Sequence, residues 1–333
     1  MAPPVSQSPN KRFKGSAVYI AVIVVALALV IAGIEVTRRL KTPADATTTV
    51  PAGARPFPRE LRDAKGETLT LQREPRRIVS QTLGTDEILL AICPTERVVA
   101  LSNLAEDGNY SNAVEQARQI PGRTAQGPEQ ILQFKPDLIF VASYSRAETV
   151  ELLKASKAPV FRFANFDSIA DLKSNIRTVG YATGTDAAAE KLIRQMDEDL
   201  AAVRARIPKS ESPVRVMSYD VLGYTAGSNT IFDDVVRAAG AVNVSAEQGI
   251  KGFAKINSEK VVEWQPEFLI TSANRGKEKS VRDRLLEDPA VATSRAGRAG
   301  RIIVIDNRHF LTVSHHVVRF VEDLANGIYG NRK

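Results

Sequence analysis

The side chains best suited to hold a metal are His309, His315 and His316, and all three crowd into one short stretch. A metal held between two parts of a chain draws ligands from both, and no histidine lies elsewhere, so direct metal binding is not expected. His315 and His316 are neighbours that would point in different directions on a helix. Ser314 beside His315 is a sequence neighbour with no orienting acid, which is not the geometry of an activated nucleophile. There is no G-x-S-x-G elbow, phosphate loop or dinucleotide fingerprint, and GKEKS at Gly276 lacks the spacing of a phosphate cradle. The single cysteine, Cys93, lies in the apolar run ILLAIC and reads as a small buried residue; it permits neither a disulfide framework nor a thiolate zinc site. Two carboxylates remain, Glu129 and Glu259. Each opens one of two matching segments.

Those segments are PEQILQFKPDLIFV from Pro128 and SEKVVEWQPEFLIT from Ser258. In the first, Ile131, Leu132 and Phe134 form the apolar side of a short helix. Pro136 ends it, because the residue before a proline is pushed out of the α region. Leu138 to Val141 then runs apolar, as a strand buried on both faces of a parallel sheet does. At one offset, Glu129 answers to Glu259, Phe134 to Trp264, Pro136 to Pro266, Asp137 to Glu267 and Leu138 to Phe268. Two copies in a fixed register imply two similar lobes; a solenoid needs at least about three repeats.

A chain of 333 residues has room for two ordinary domains. Of the net charge of +7, most sits at the start: residues 1–56 hold seven Lys/Arg against Glu35 and Asp45, and the remainder carries 38 basic and 36 acidic residues. A near-neutral surface is a poor phosphate-tracking patch, so nucleic acid is not an expected partner. Lys11, Arg12 and Lys14 precede an uncharged apolar run from Ala17 to Ile34, about 27 Å long as a helix, close to the hydrocarbon thickness of a bilayer. We expect a cytoplasmic basic tail over 1–16, a transmembrane anchor or signal segment over 17–35 and a Pro/Ala/Thr linker over 36–58. Ala44-Asp45-Ala46 has the spacing of a cleavage site but lies far from the apolar run, which favours an uncleaved anchor. The folded part is exported either way.

From Arg59 the pattern is α/β. An edge hairpin turns around Ala64-Lys65-Gly66, and strands Arg76–Ser80, Arg97–Leu101 and Val160–Phe163 alternate with helices. Thr82 and Thr85 are possible caps for a helix to Ile92, whose positive end suits Asp86 and Glu87. Ser168 to Ile207 is all-helical, broken at Gly180 and Gly184, with Leu192, Met196, Leu200, Val203 and Ile207 as an apolar stripe. Strand Val214–Tyr219, a Gly-rich turn GYTAGSN, helix Ile231–Ala239, a polar loop Asn243–Lys255, strand Ile302–Ile305 and a helix from His315 to Gly327 follow. The expected divisions are an N-terminal lobe over 59–166, connecting helices over 167–212 and a C-terminal lobe over 213–333.

RRIVSQTLGTDEILLAI, the two matching segments and the mid-chain helix together resemble the periplasmic binding proteins of iron–siderophore and cobalamin import, over about residues 57–330. The resemblance implies two α/β lobes with parallel-rich sheets joined by one long helix, a ligand cleft between them, little hinge motion and a monomer. It implies a substrate-binding protein that delivers an iron complex (ferric siderophore or haem) or cobalamin to the permease and ATPase of an ABC importer, with no cofactor of its own. In that family a glutamate on each lobe meets arginines of the permease, and Glu129 and Glu259 fall on those positions.

Ligands of open α/β sheets sit beyond the carboxyl ends of the strands. That rule selects Gln81, Thr82, Tyr144, Arg146, Tyr219, Tyr224, Asn274, Arg275, His309 and Phe310, and Tyr110 lies in a polar loop of the first lobe. Phe253 matches a position where cobalamin-binding relatives carry an aromatic; Arg123 at the corresponding place before Glu129 departs from it and suits an anionic ligand. The competing readings are a membrane-anchored sensor working without a permease, which would have no need of both glutamates, and an enzyme on a related two-lobe fold.

Overall fold

The computed structural model describes residues 56–124, 127–209 and 212–330. The expected basic tail, apolar segment and most of the linker lie outside them. Among the described residues no helix is long and apolar enough to cross a membrane.

Arg59–Arg62 (β1) and Thr68–Leu71 (β2) form the expected antiparallel hairpin, with Leu61 and Leu71 buried. Five parallel strands then make the first sheet: Ile78–Ser80 (β3), Val98–Leu101 (β4), Gly122–Arg123 (β5), Leu138–Ala142 (β6) and Val160–Phe163 (β7). Their order is β5-β4-β3-β6-β7. Every residue of β6 is buried, which is why its sequence runs apolar without alternation.

The second lobe contributes Val214–Ser218 (β8), Tyr224–Ala226 (β9), Ala241–Asn243 (β10), Phe253–Lys255 (β11), Phe268–Ala273 (β12) and Ile302–Asp306 (β13). Its parallel sheet runs β10-β8-β12-β13, while β9 and β11 pair as a separate antiparallel hairpin. Strand for strand, β10-β8-β12-β13 repeats the order β4-β3-β6-β7 of the first lobe. The matching segments supply helices Pro128–Gln133 and Glu259–Trp264, which lead into β6 and β12.

Helices Ile169–Thr183 and Asp186–Arg206 connect the sheets. The chain breaks at Gly184, a left-handed cap with φ 74°, and not at Gly180. Gly180 is interior to its helix: a Cβ there would stand 2.5 Å from the Ala189 Cβ, so glycine serves a close helix contact. Ile193 joins Met196 and Val203 among the buried residues, while Leu192 and Leu200 are only partly covered.

Three further expectations change. GYTAGSN is not a bare turn, because Tyr224–Ala226 inside it is a strand. The loop 243–255 holds helix Val244–Glu247 and β11. Strands of three residues paired across a long insertion carry too little local periodicity to be read from sequence. The last helix starts at Val317, so His315 and His316 precede it, and their rings lie together with centroids 4.0 Å apart.

Candidate functional site

Strand order reverses between β3 and β6 in the first sheet and between β8 and β12 in the second. The carboxyl ends of these pairs are where an open sheet offers a crevice. Loops from the two ends meet. The Asn112 side-chain amide donates to the Arg308 carbonyl at 2.9 Å, and the Ser314 hydroxyl donates to Glu87 at 2.5 Å.

In the first lobe the structure gathers Gln81, Thr82 and Tyr144 at the reversal point. The Gln81 backbone N–H bonds the Phe140 carbonyl at 3.0 Å, which holds the turn after β3 to β6. Thr82 is buried, its hydroxyl 2.7 Å from that of Thr85, and it hydrogen-bonds the Tyr144 phenol oxygen. The Tyr144 ring stacks 5.4 Å from Phe166 and stays 45% exposed. Arg146 is exposed at the cap of helix Ala147–Ala155. Tyr110 is half-buried, and burial together with Asp107 raises its phenol above the ordinary range.

Beneath this group lies a side chain whose burial the sequence did not announce. Asp86, in the first turn of helix Leu83–Ile92 as expected, is fully buried and accepts from the Ser102 backbone and hydroxyl. Burial pushes its carboxyl up to about 7, against the pull of the Ser102 and Ser80 hydrogen bonds.

In the second lobe, residues 251–257 alternate between exposed and half-buried, which puts Lys251, Phe253 and Lys255 on one open face of β11 and its approach. Phe253 is 50% exposed, and Lys255 lies opposite Tyr224 with its ammonium 6.0 Å from that ring. At the ends of β12 and β13, Asn274 accepts from Asn307 at 2.6 Å. Arg275, 74% exposed, stands 3.7 Å from Asp306, which Arg308 already grips at 2.6 Å.

Other selected residues are committed elsewhere. The Arg123 guanidinium bonds the carbonyls of Ala117, Ile120 and Gly122 and pairs with Glu106. Tyr219 is buried in a core cluster with Trp264 and Leu269. Phe310 packs on Phe232 and Phe320 at 6.0 and 5.0 Å, and His309 Nδ1 lies 2.6 Å from Asp323 on the last helix. Burial pushes His315 down to about 4 and His316 to about 3, so both rings are neutral. Among the described residues no cluster of three or more His, Cys, Asp or Glu could hold a metal ion.

The largest omission from the sequence reading is apolar. Leu104, Tyr144, Leu152, Val221, Leu222, Phe253 and Leu311 are large hydrophobic side chains left exposed. All but Leu152, which lies on helix Ala147–Ala155, follow the carboxyl end of a strand or lie on the hairpin beyond β8. Only Tyr144 and Phe253 carried a signal, through the carboxyl-end rule and the aromatic position of the family resemblance; a leucine in a loop looks the same whether covered or not. Glu129 and Glu259 are both exposed at the start of their helices, and neither carboxylate forms an ion pair among the described residues.

The model of the family described as periplasmic binding protein matches residues 78–309. A cobalamin-binding protein of Halobacterium salinarum is 25% identical over 278 residues, covering 82% of this chain and 74% of the relative. An uncharacterized ABC transporter substrate-binding lipoprotein of Bacillus subtilis is 25% identical over 282 residues, covering 82% and 86%. Among solved structures, the periplasmic heme-binding protein RhuT of Roseiflexus sp. RS-1, in apo form, superposes with a TM-score of 0.67 at 28% identity. It covers 77% of this chain and 98% of its own.

Proposed function

This chain belongs to the periplasmic binding protein family, and from that premise we propose that it captures a metal complex outside the cytoplasm and hands it to an ABC importer. One observation carries the reading: apart from Leu152 on helix Ala147–Ala155, the large exposed apolar side chains of both lobes follow the carboxyl ends of strands or lie on the β9–β11 hairpin. Exposed apolar surface concentrated in one region marks a binding surface, and a cleft lined this way suits a bulky, largely apolar cargo. Thr82, Gln81, Tyr144 and Arg146 on one lobe and Tyr224, Phe253, Asn274 and Arg275 on the other are the proposed contacts. Lys251 and Lys255 flank the Phe253 ring and Arg275 stands nearly free. These cations favour an anionic complex, a ferric siderophore or haem, over a corrinoid.

Glu129 and Glu259 are the proposed contacts with the permease. Exposed and without an ion pair among the described residues, on equivalent helices of two lobes, they suit the arginines of a two-fold partner; such rim charges set orientation and on-rate. The N-terminal segment would tether the folded part to the inner membrane from outside. The test is calorimetry of the purified chain against haemin, a ferric hydroxamate and hydroxocobalamin, with one-to-one binding of at least one expected. Failure with all three removes the main support. Glu129→Lys with Glu259→Lys should abolish uptake at unchanged affinity; lost affinity would place both residues on the wrong surface.

A further inference from the structure

Glu87 has no part in the reading above, yet it is 2% exposed and sits where the lobes touch. Its carboxylate accepts from the Asn112 backbone N–H at 2.8 Å and side-chain amide at 3.1 Å, both in the first lobe. From the second lobe it accepts from the Ser314 hydroxyl at 2.5 Å and the Thr312 hydroxyl at 3.5 Å. Asn112 uses its amide a second time, on the Arg308 carbonyl. Val313, between the two hydroxyl residues, lies against Gly84: a Cβ there would stand 2.8 Å from the Val313 Cγ2 and 2.9 Å from its carbonyl oxygen. A carboxylate out of water without a countercharge is costly, and hydrogen bonds from both sides are what make it tolerable. Burial raises its carboxyl above the ordinary range, and the opposing pull comes from the hydrogen bonds of Ser314, Asn112 and Thr312. Packing the same two surfaces with apolar side chains would avoid that cost, so the acid contributes direction more than adhesion.

The lobes have one covalent link, the helices between Ile169 and Arg206. A single link leaves rotation about its own axis. A second attachment away from that axis removes it.

We propose that Glu87 is a positioning residue for cargo capture: it pins the loop 311–316 of the second lobe to the first helix of the first lobe and so fixes the width of the cleft. The proposal holds for any cargo and does not depend on which complex is bound. The experiment measures the distance between spin labels on the full chain, in a Cys93→Ser background, at Leu152→Cys on the first lobe and Arg284→Cys on the second; both positions are exposed. The parent should give one narrow distribution. Glu87→Ala should broaden it by roughly twofold, because freed lobes rock about the connecting helices, and Glu87→Gln, which keeps an acceptor, should restore most of the narrow peak. If Glu87→Ala does not fold, Thr312→Val with Ser314→Ala removes the same grip from the other side. A lower melting temperature with an unchanged distribution, in either variant, would reduce Glu87 to a stabilising residue and overturn the pin.

Discussion

Lys135 in the first lobe and Gln265 in the second adopt φ of 47° and 49°, a left-handed conformation unusual for either residue. Each stands just before the proline of its segment. Two residues on, the acids also agree. Asp137 accepts from the backbone N–H groups of Arg76 and Arg77 beside β3, and Glu267 accepts from that of Arg215 in β8. Thus each acid clips the start of its own strand to the neighbouring strand. A little upstream the likeness ends. Gly122 and Gly252 share the offset, but at Gly122 a Cβ would stand 2.2 Å from the Val99 carbonyl, while Gly252 has φ 69° and open space around it. After them come Arg123, with its guanidinium folded onto carbonyls, and Phe253, exposed. The buried acids of the first helices diverge as well. Asp233 bonds Asn243 and lies 3.3 Å from Arg237, whereas Asp86 has only hydroxyl and backbone partners. Duplication is kept where it builds the sheet and lost in the stretch just before each matching segment and in the acids of the first helices.

The largest effect should come from the glycine pair. Gly122→Ala forces a methyl into a carbonyl and should cost at least about 3 kcal/mol, whereas Gly252→Ala costs only the left-handed penalty of about 1 kcal/mol. Equal losses in urea unfolding would mean the two glycines do the same job. Next is the acid pair. The Asp86 carboxyl is held well above its ordinary value, so the folded state binds the extra proton between about pH 4 and 7. Stability is therefore full below that window and falls by a few kcal/mol as pH rises through it. Asp86→Asn should remove its share of this slope and leave that of Glu87, which burial also raises; a slope unchanged by Asp86→Asn assigns the proton elsewhere. Third, Asp137→Ala loses bonds from two backbone donors and should cost about 2 kcal/mol, against about 1 kcal/mol for Glu267→Ala with its longer 3.3 Å bond. The reverse order would show that Arg295, 3.1 Å from Glu267, matters more than the strand clip. Smallest, Lys135→Gly and Gln265→Gly should each change stability by less than about 1 kcal/mol, with the same sign. Opposite signs in thermal melts would break the register of the two copies.

The sheet-building parts were legible because they follow local rules. Pro136 and Pro266, the unbroken apolar run of β6 and the helix after Asp186 each announce themselves within a few residues. The rest depended on partners distant in sequence. β9 is a strand only because β11 lies beside it, and Gly180 is a packing position only because Ala189 arrives there. Asp86 and Glu87 show the same limit in charge: a helix-dipole argument explains an acid at that end but not its burial. The carboxyl-end rule selected Thr82, Tyr144 and Arg275, which do lie just past strands β3, β6 and β12. It also selected Tyr219 and Phe310, which the second lobe uses as core, since the rule gives position and not direction.

The contact of Gly180 with Ala189 has a kinetic meaning. Two helices drawn so close resist sliding and splaying, so the link itself does not bend; the rotation it leaves is opposed by the Glu87 contact between the lobes. Capture then needs no conformational step before the encounter, and its observed rate should rise linearly with cargo concentration. Residence time is then governed by the contacts the cargo makes, and unloading requires outside force on the lobes themselves.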